Sequence, residues 1–175
     1  RSLRDDAAQN EKLADELAGY ERLFAGAGGQ SRRGEASALY LRHPTAAWHL
    51  PSYAADAPFV VVLRNPAERA FPHLVHATRI YAEAGVTSPA GAEGRSIDEE
   101  FQRAVGVAAT AGMPAVTVSE PEIWVRAGFY HAHLTRWFEL FPREQFAIFL
   151  FEDLATDAAG VMKSVYGHLG IDQSF

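Results

Sequence analysis

Cysteine is absent from all 175 residues, so this chain can form neither a disulfide nor a thiolate zinc site. No apolar run approaches the roughly 20 residues that cross a bilayer. No secretory leader is recognisable either. A membrane partner is therefore not expected, and a cytoplasmic location fits these absences. Positive charge is also scarce, with 16 basic residues against 22 acidic ones and a net charge of −6. That balance leaves no broad basic face for nucleic acid. An anionic ligand would have to be held by a few local arginines or a helix N-terminus. The Walker loop GxxxxGK[ST] is missing, which argues against a kinase-like phosphotransferase. No internal repeat is present.

The remaining composition is ordinary for a globular protein, 48% hydrophobic and 11% aromatic, and the length suffices for one domain with a core. The chain opens on Arg1 within a polar stretch, and one domain over 1–175, incomplete at its N-terminus, is the expectation. Apolar residues at helical spacing predict a helix over about 2–25, ended by Gly26, Gly28 and Gly29. A short strand over 33–37 would lead into Leu39–Leu41. Phe59–Leu63, FVVVL, is the strongest strand and reads as buried on both faces, as in a parallel sheet.

Pro66 stands where a helix tolerates a missing N–H, so a helix is expected over about 67–84, with Ala70, Leu74, Ala77 and Tyr81 on one stripe. Ser96 and Glu99 have capping-box spacing, which predicts a helix to about Val105. A long helix over 121–140, a second buried strand over 146–151 and a last helix capped by Thr156 or Asp157 complete the order. Strands alternating with helices predict an α/β fold with a mainly parallel sheet.

The chemistry concentrates after Leu63. Arg64 follows a buried strand at its carboxyl end, where open α/β sheets bind ligands. The helix begun by Pro66 directs its dipole and unpaired N–H groups at the same place. Arg64 can grip a phosphate with two donors, and Arg69 sits one turn further along. On these residues alone, a phosphate site and a plain turn with a surface arginine stand level. His73 and His76 share a helix face at i,i+3, but no third ligand accompanies them by motif, so no metal is expected. His73 has the pKa range of a general base. Trp124, Trp137 and Phe138 read as core.

Leu63–Leu74, LRNPAERAFPHL, resembles the 3'-phosphate-binding motif of sulfotransferases, LRNPxxRAxSxY. Upstream, Gly34–Leu41 resembles the family's GExSPxYL. Downstream, Gly128, Tyr130, Leu134, Trp137, Phe141, Pro142, Glu144 and Gln145 resemble GxYxxxLxxWxxxFPxEQ. Phe151–Leu154 resembles (Y/F)EDL, and His168–Ile171 resembles FLGI. The series runs from about Glu35 to Ile171 in the family's order. It is closest to the Golgi-type heparan sulfate sulfotransferases and their bacterial relatives.

The resemblance implies a P-loop-like, three-layer α/β fold. It also implies transfer of a sulfuryl group from 3'-phosphoadenosine 5'-phosphosulfate to a hydroxyl or amine of a small-molecule or carbohydrate acceptor. It places Arg64 on the 3'-phosphate of that co-substrate, with Arg69 and Arg126 as further cofactor contacts and Glu35 and Tyr130 facing the acceptor. The sequence departs from the family in two places. Pro72 stands where the family has a serine, and offers neither a hydroxyl nor an N–H. The family's first strand and its PKxGTT-like phosphosulfate loop are not seen, so the catalytic residues are unidentified. A sulfotransferase-like domain that binds without catalysing is the alternative.

Overall fold

The computed structural model describes residues 18–29, 32–86, 94–110 and 123–174. The chain forms two compact units, one up to Ala36 and one from Ser37 onward. In the first, residues 18–22 are helical and a 3-10 turn spans Ala25–Ala27. Most of the helix expected over 2–25 lies outside the described residues. The strand expected over 33–37 does not form: these residues are irregular, and turns follow from Ala38.

The second unit opens with two short helices, α1 (Ala46–His49) and α2 (Pro51–Ala54). Strand β1 (Phe59–Leu63) leads into α3 (Pro66–Glu83), followed by α4 (Ile97–Thr110), α5 (Ile123–Arg126) and α6 (Tyr130–Phe138). Strand β2 (Phe146–Leu150) runs directly into α7 (Phe151–Thr156), and α8 (Ala158–Leu169) follows. The two strands pair in parallel, with Phe59 opposite Phe146 and Leu63 opposite Leu150. The α/β reading with a parallel sheet is therefore correct, with helices dominating. β1 is not buried on both faces as expected. Phe59, Val61 and Leu63 are half-buried, whereas Val60 and Val62 are 40% and 49% exposed.

Two apolar clusters hold the helices. Ala47, Trp137, Phe141 and Phe146 form the first, with Phe59, Val61 and Ile148 against it, so it fastens α1 and α6 to one face of the strand pair. Phe59 stacks on Phe146 at 4.7 Å and meets Phe141 edge-on at 4.8 Å. The Trp137 indole N–H donates to the Leu41 carbonyl at 3.1 Å, satisfying the one polar atom of a buried ring. The second cluster, Leu74, Ala104 and Trp124, joins α3, α4 and α5. Along α3, Ala70 and Leu74 are buried and Ala77 packs beside them, while Tyr81 is 39% exposed. The α3 helix runs through Pro72 without a break, although that position lacks the N–H that would reach the Glu68 carbonyl.

Local signals account for most boundaries. Asn65 caps α3, its Oδ1 accepting from the Ala67 and Glu68 N–H groups. The Ser96/Glu99 capping box forms: the Ser96 N–H donates to Glu99 at 2.8 Å and the Glu99 N–H to Ser96 Oγ at 3.2 Å. That helix continues past Val105 to Thr110. Asp157, not Thr156, caps the last helix through the Gly160 N–H, while Thr156 Oγ donates back to Glu152 and Asp153 carbonyls. The long helix expected over 121–140 is two helices, α5 and α6. Gly128 sits at the break, where an added Cβ would lie 2.7 Å from Pro66 Cβ and 3.2 Å from the Val125 carbonyl. Only glycine lets this turn approach the start of α3 so closely.

Among the described residues, one carboxylate is fully buried. Glu100, on the first turn of α4, accepts from Arg95 at 2.9 Å and from Arg103 at 3.0 and 2.7 Å. The Arg103 hydrogen bonds, and then those from Arg95, hold its carboxyl below the ordinary glutamate range. Glu100→Ala would remove the acceptor that Arg95 and Arg103 share, and urea unfolding should show a loss of about 1.5–3 kcal/mol, the range for hydrogen bonds to a charged group.

Candidate functional site

Because β1 and β2 are parallel and in register, their carboxyl ends lie side by side. Arg64 leaves β1 where Phe151 leaves β2, and its guanidinium lies over the Phe151 ring, 5.3 Å from the centroid. The Arg64 side chain is half-buried, and its Nε is enclosed without a hydrogen-bond partner. The ring packs against this guanidinium, and among the described residues its terminal nitrogens make no hydrogen bond.

Three further contacts fasten this corner. The Asn65 N–H donates to Glu152 Oε1 at 2.9 Å, joining the start of α3 to α7 across the strand ends. That bond, with Arg64 nearby as a lesser cause, keeps the Glu152 carboxyl below its ordinary range. The Tyr130 hydroxyl donates to the Arg64 carbonyl at 2.9 Å, tying the start of α6 to the end of β1. Gly128 lies against Pro66, as described above. Beside these contacts an open recess of about 420 Å³ is lined by Gly128, Phe129, Tyr130, His131 and Ala132.

The first amides of α3 are not available to an anion as expected. Pro66 has no N–H, and the Ala67 and Glu68 N–H groups are taken by Asn65 Oδ1. Charge at this corner therefore comes from Arg64 and the helix dipole.

The other nominated residues occupy different places. Arg69 donates through Nη2 to the Trp124 carbonyl and through Nη1 to His73 Nδ1 at 3.1 Å. It ties α3 to α5. Arg126 is 5% exposed at the end of α5, and its carbonyl accepts from His133 Nε2 at 3.0 Å. Tyr130 keeps its ring on the recess while its hydroxyl is spent on Arg64. Glu35 belongs to the first unit, where its carboxylate faces the Tyr20 hydroxyl; burial, then Glu35, raises the Tyr20 pKa.

Sequence reasoning passed over Asn65 and Arg42. An Asn directly before an N1 proline is itself an N-cap signal; Arg42 carries no motif. His73 is half-buried, and burial, followed by Arg69, Arg42 and His76, lowers its pKa. Among the described residues, no group of three or more His, Cys, Asp or Glu side chains is placed to hold a metal, and no helix is long and apolar enough to cross a membrane.

The sulfotransferase domain family matches residues 39–174. No curated protein matches the chain. Among solved structures, a sulfotransferase from Alicyclobacillus acidocaldarius superposes with a TM-score of 0.69 at 31% sequence identity. The alignment covers 90% of this chain and 57% of that one, so this chain spans little more than half the length of that relative.

Two measurements check this geometry. Gly128→Ala must push the α5–α6 turn off Pro66, and thermal unfolding should show a loss of about 1–3 kcal/mol. The fully buried His133 has its pKa lowered, first by burial and then by Arg136, Arg42 and Arg69, against the raising effect of its bond to the Arg126 carbonyl. Its folded pKa thus lies below the ordinary value near ~6.5. At neutral pH both states are uncharged there. As pH falls below that value the unfolded chain takes up the proton first, so stability drops. Denaturant midpoints should decline from pH 7 to pH 5, and His133→Gln should flatten that decline.

Proposed function

As the chain belongs to the sulfotransferase domain family, we propose that it binds 3'-phosphoadenosine 5'-phosphosulfate and serves sulfuryl transfer to a hydroxyl or amine of a small-molecule or carbohydrate acceptor. The observation that carries this reading is Arg64 at the paired strand ends, its guanidinium over the Phe151 ring and its terminal nitrogens making no hydrogen bond among the described residues. A guanidinium held this way suits a phosphate, because its planar fork matches two oxygens at once and little ordering entropy remains to be lost. The 3'-phosphate of the co-substrate is the group assigned to it.

In the reaction, the acceptor's lone pair forms a bond to sulfur and the bond from sulfur to the bridging oxygen breaks. The electron pair of that bond leaves with adenosine 3',5'-bisphosphate, and the acceptor's proton passes to a base. Catalysis of this kind rests on positioning and on stabilising charge as it develops. Tyr130 contributes by holding the Arg64 carbonyl. Arg69 and Arg126 contribute by seating α5 between α3 and α6.

A second reading has its own support. Pro72 replaces the family's serine, and the amides of Ala67 and Glu68 are taken by Asn65. With fewer donors on the 3'-phosphate, a domain that binds nucleotide without catalysing is the alternative.

Calorimetry with adenosine 3',5'-bisphosphate tests the assignment. Binding is expected, and Arg64→Ala should weaken it about 10- to 100-fold, the range for hydrogen bonds to a charged group. Unchanged affinity would remove Arg64 from the site. Pro72→Ser should tighten binding by restoring a hydroxyl. Binding without sulfuryl transfer to any tested acceptor would favour the second reading.

A further inference from the structure

Away from Arg64, a second set of cations meets without a counter-charge. Arg136 on α6 donates to the Leu41 carbonyl at 3.2 Å, which puts its guanidinium beside the segment that carries Arg42. One turn earlier on the same face of α6, His133 holds the carbonyl of Arg126. Arg69 reaches α5 from the other side, through the Trp124 carbonyl, and holds His73 one turn on. The short helix α5 thus brings Arg69 and His73 of α3 together with His133 and Arg136 of α6, and Arg42 adjoins them.

Their polar atoms are not satisfied. Arg42 Nη1, Arg69 Nε and Arg136 Nε are buried without a hydrogen-bond partner. Among the described residues, no carboxylate pairs with any of the three. The electrostatic setting agrees: burial and then Arg69 depress the Arg42 pKa, and every side-chain charge acting on His73 or His133 is cationic. Enclosed guanidiniums without an anion are costly, because each loses water and gains only like-charged neighbours.

We propose that Arg42, Arg69 and Arg136 form a second anion site, separate in its residues from Arg64, that takes a sulfate or phosphate group. A tetrahedral oxyanion presents acceptors in several directions. It can therefore receive donors from three guanidiniums on three segments, and from the remaining ring N–H of His73. The group is either a free ion or an ester carried on a larger molecule. Among the described residues, Arg42 is the member whose side chain makes no hydrogen bond, so it is the one to change.

The experiment is calorimetric titration of the whole chain with sodium sulfate and, separately, with glucose 6-phosphate, in chloride buffer. One Arg42-dependent anion per chain is expected beside any held at Arg64. Arg42→Gln keeps most of the side chain's bulk and should weaken binding at least about tenfold, while Arg64→Ala should leave it within about twofold. The Tm of Arg42→Gln without sulfate should equal or exceed that of the parent, since a repulsion is removed and no hydrogen bond is lost. Tighter binding of the sugar phosphate would identify an ester as the ligand; equal or tighter binding of sulfate would identify a free ion, and both results support the site. Absence of saturable binding by either probe would overturn it. So would binding that survives Arg42→Gln and disappears with Arg64→Ala. Loss of bisphosphate affinity in Arg64→Ala reports on the first assignment and loss of sulfate affinity in Arg42→Gln on the second, so failure of one leaves the other standing.

Discussion

Five facing pairs, from Phe59 with Phe146 to Leu63 with Leu150, set the two strands parallel and level at their carboxyl ends. A slip of one residue would turn Phe59, Val61 and Ile148 away from Trp137 and Phe141 and present the alternate side chains to that cluster. The aromatic cluster therefore fixes the register, and the register fixes what leaves the sheet together. Arg64 meets Phe151, and Asn65 meets Glu152, only because Leu63 and Leu150 end level. The recess beside α6 depends on the same alignment through the bond from Tyr130 to the Arg64 carbonyl.

Around that corner, the residues that resemble a ligand site divide into those that present charge and those that hold other residues still. Arg64 presents charge. Tyr130, Arg69 and Asn65 spend their donors or acceptors on backbone groups, which is the usual fate of side-chain hydrogen bonds. A motif names residue types at fixed spacing; it does not say whether a given side chain faces a ligand or a carbonyl. The family's pattern and the chain's geometry thus agree on location while giving separate roles to neighbouring letters of the motif.

Features written in local chemistry were legible in the sequence. FVVVL and FAIFL read as strands, Pro66 as a helix start, Ser96 with Glu99 as a capping box, and Asp157 as a cap. Features that depend on distant partners were not. The break between α5 and α6 follows from Gly128 meeting Pro66, and no periodicity within 121–140 signals that contact. The exposure of Val60 and Val62 depends on which elements cover the sheet, which a β-branched run cannot tell. At the proposed site, Arg64 stood out in the sequence because the strand end and the following proline sit within three residues. The contact of Asn65 with Glu152 joins residues 87 apart and leaves no trace in local pattern. Arg42 stood in no motif, and its meaning arises only from the company of Arg69 and Arg136.

That separation of 87 residues also sets an order in time. Parallel strands cannot close through a tight turn, so everything from α3 to α6 must be traversed before β2 can find β1. Closing so long a loop costs chain entropy before any pairing rewards it, which makes such contacts slow to form. While the chain is being synthesised, β1 emerges long before Phe146–Glu152 can reach it. The corner that presents Arg64 is therefore among the last parts of this unit to exist.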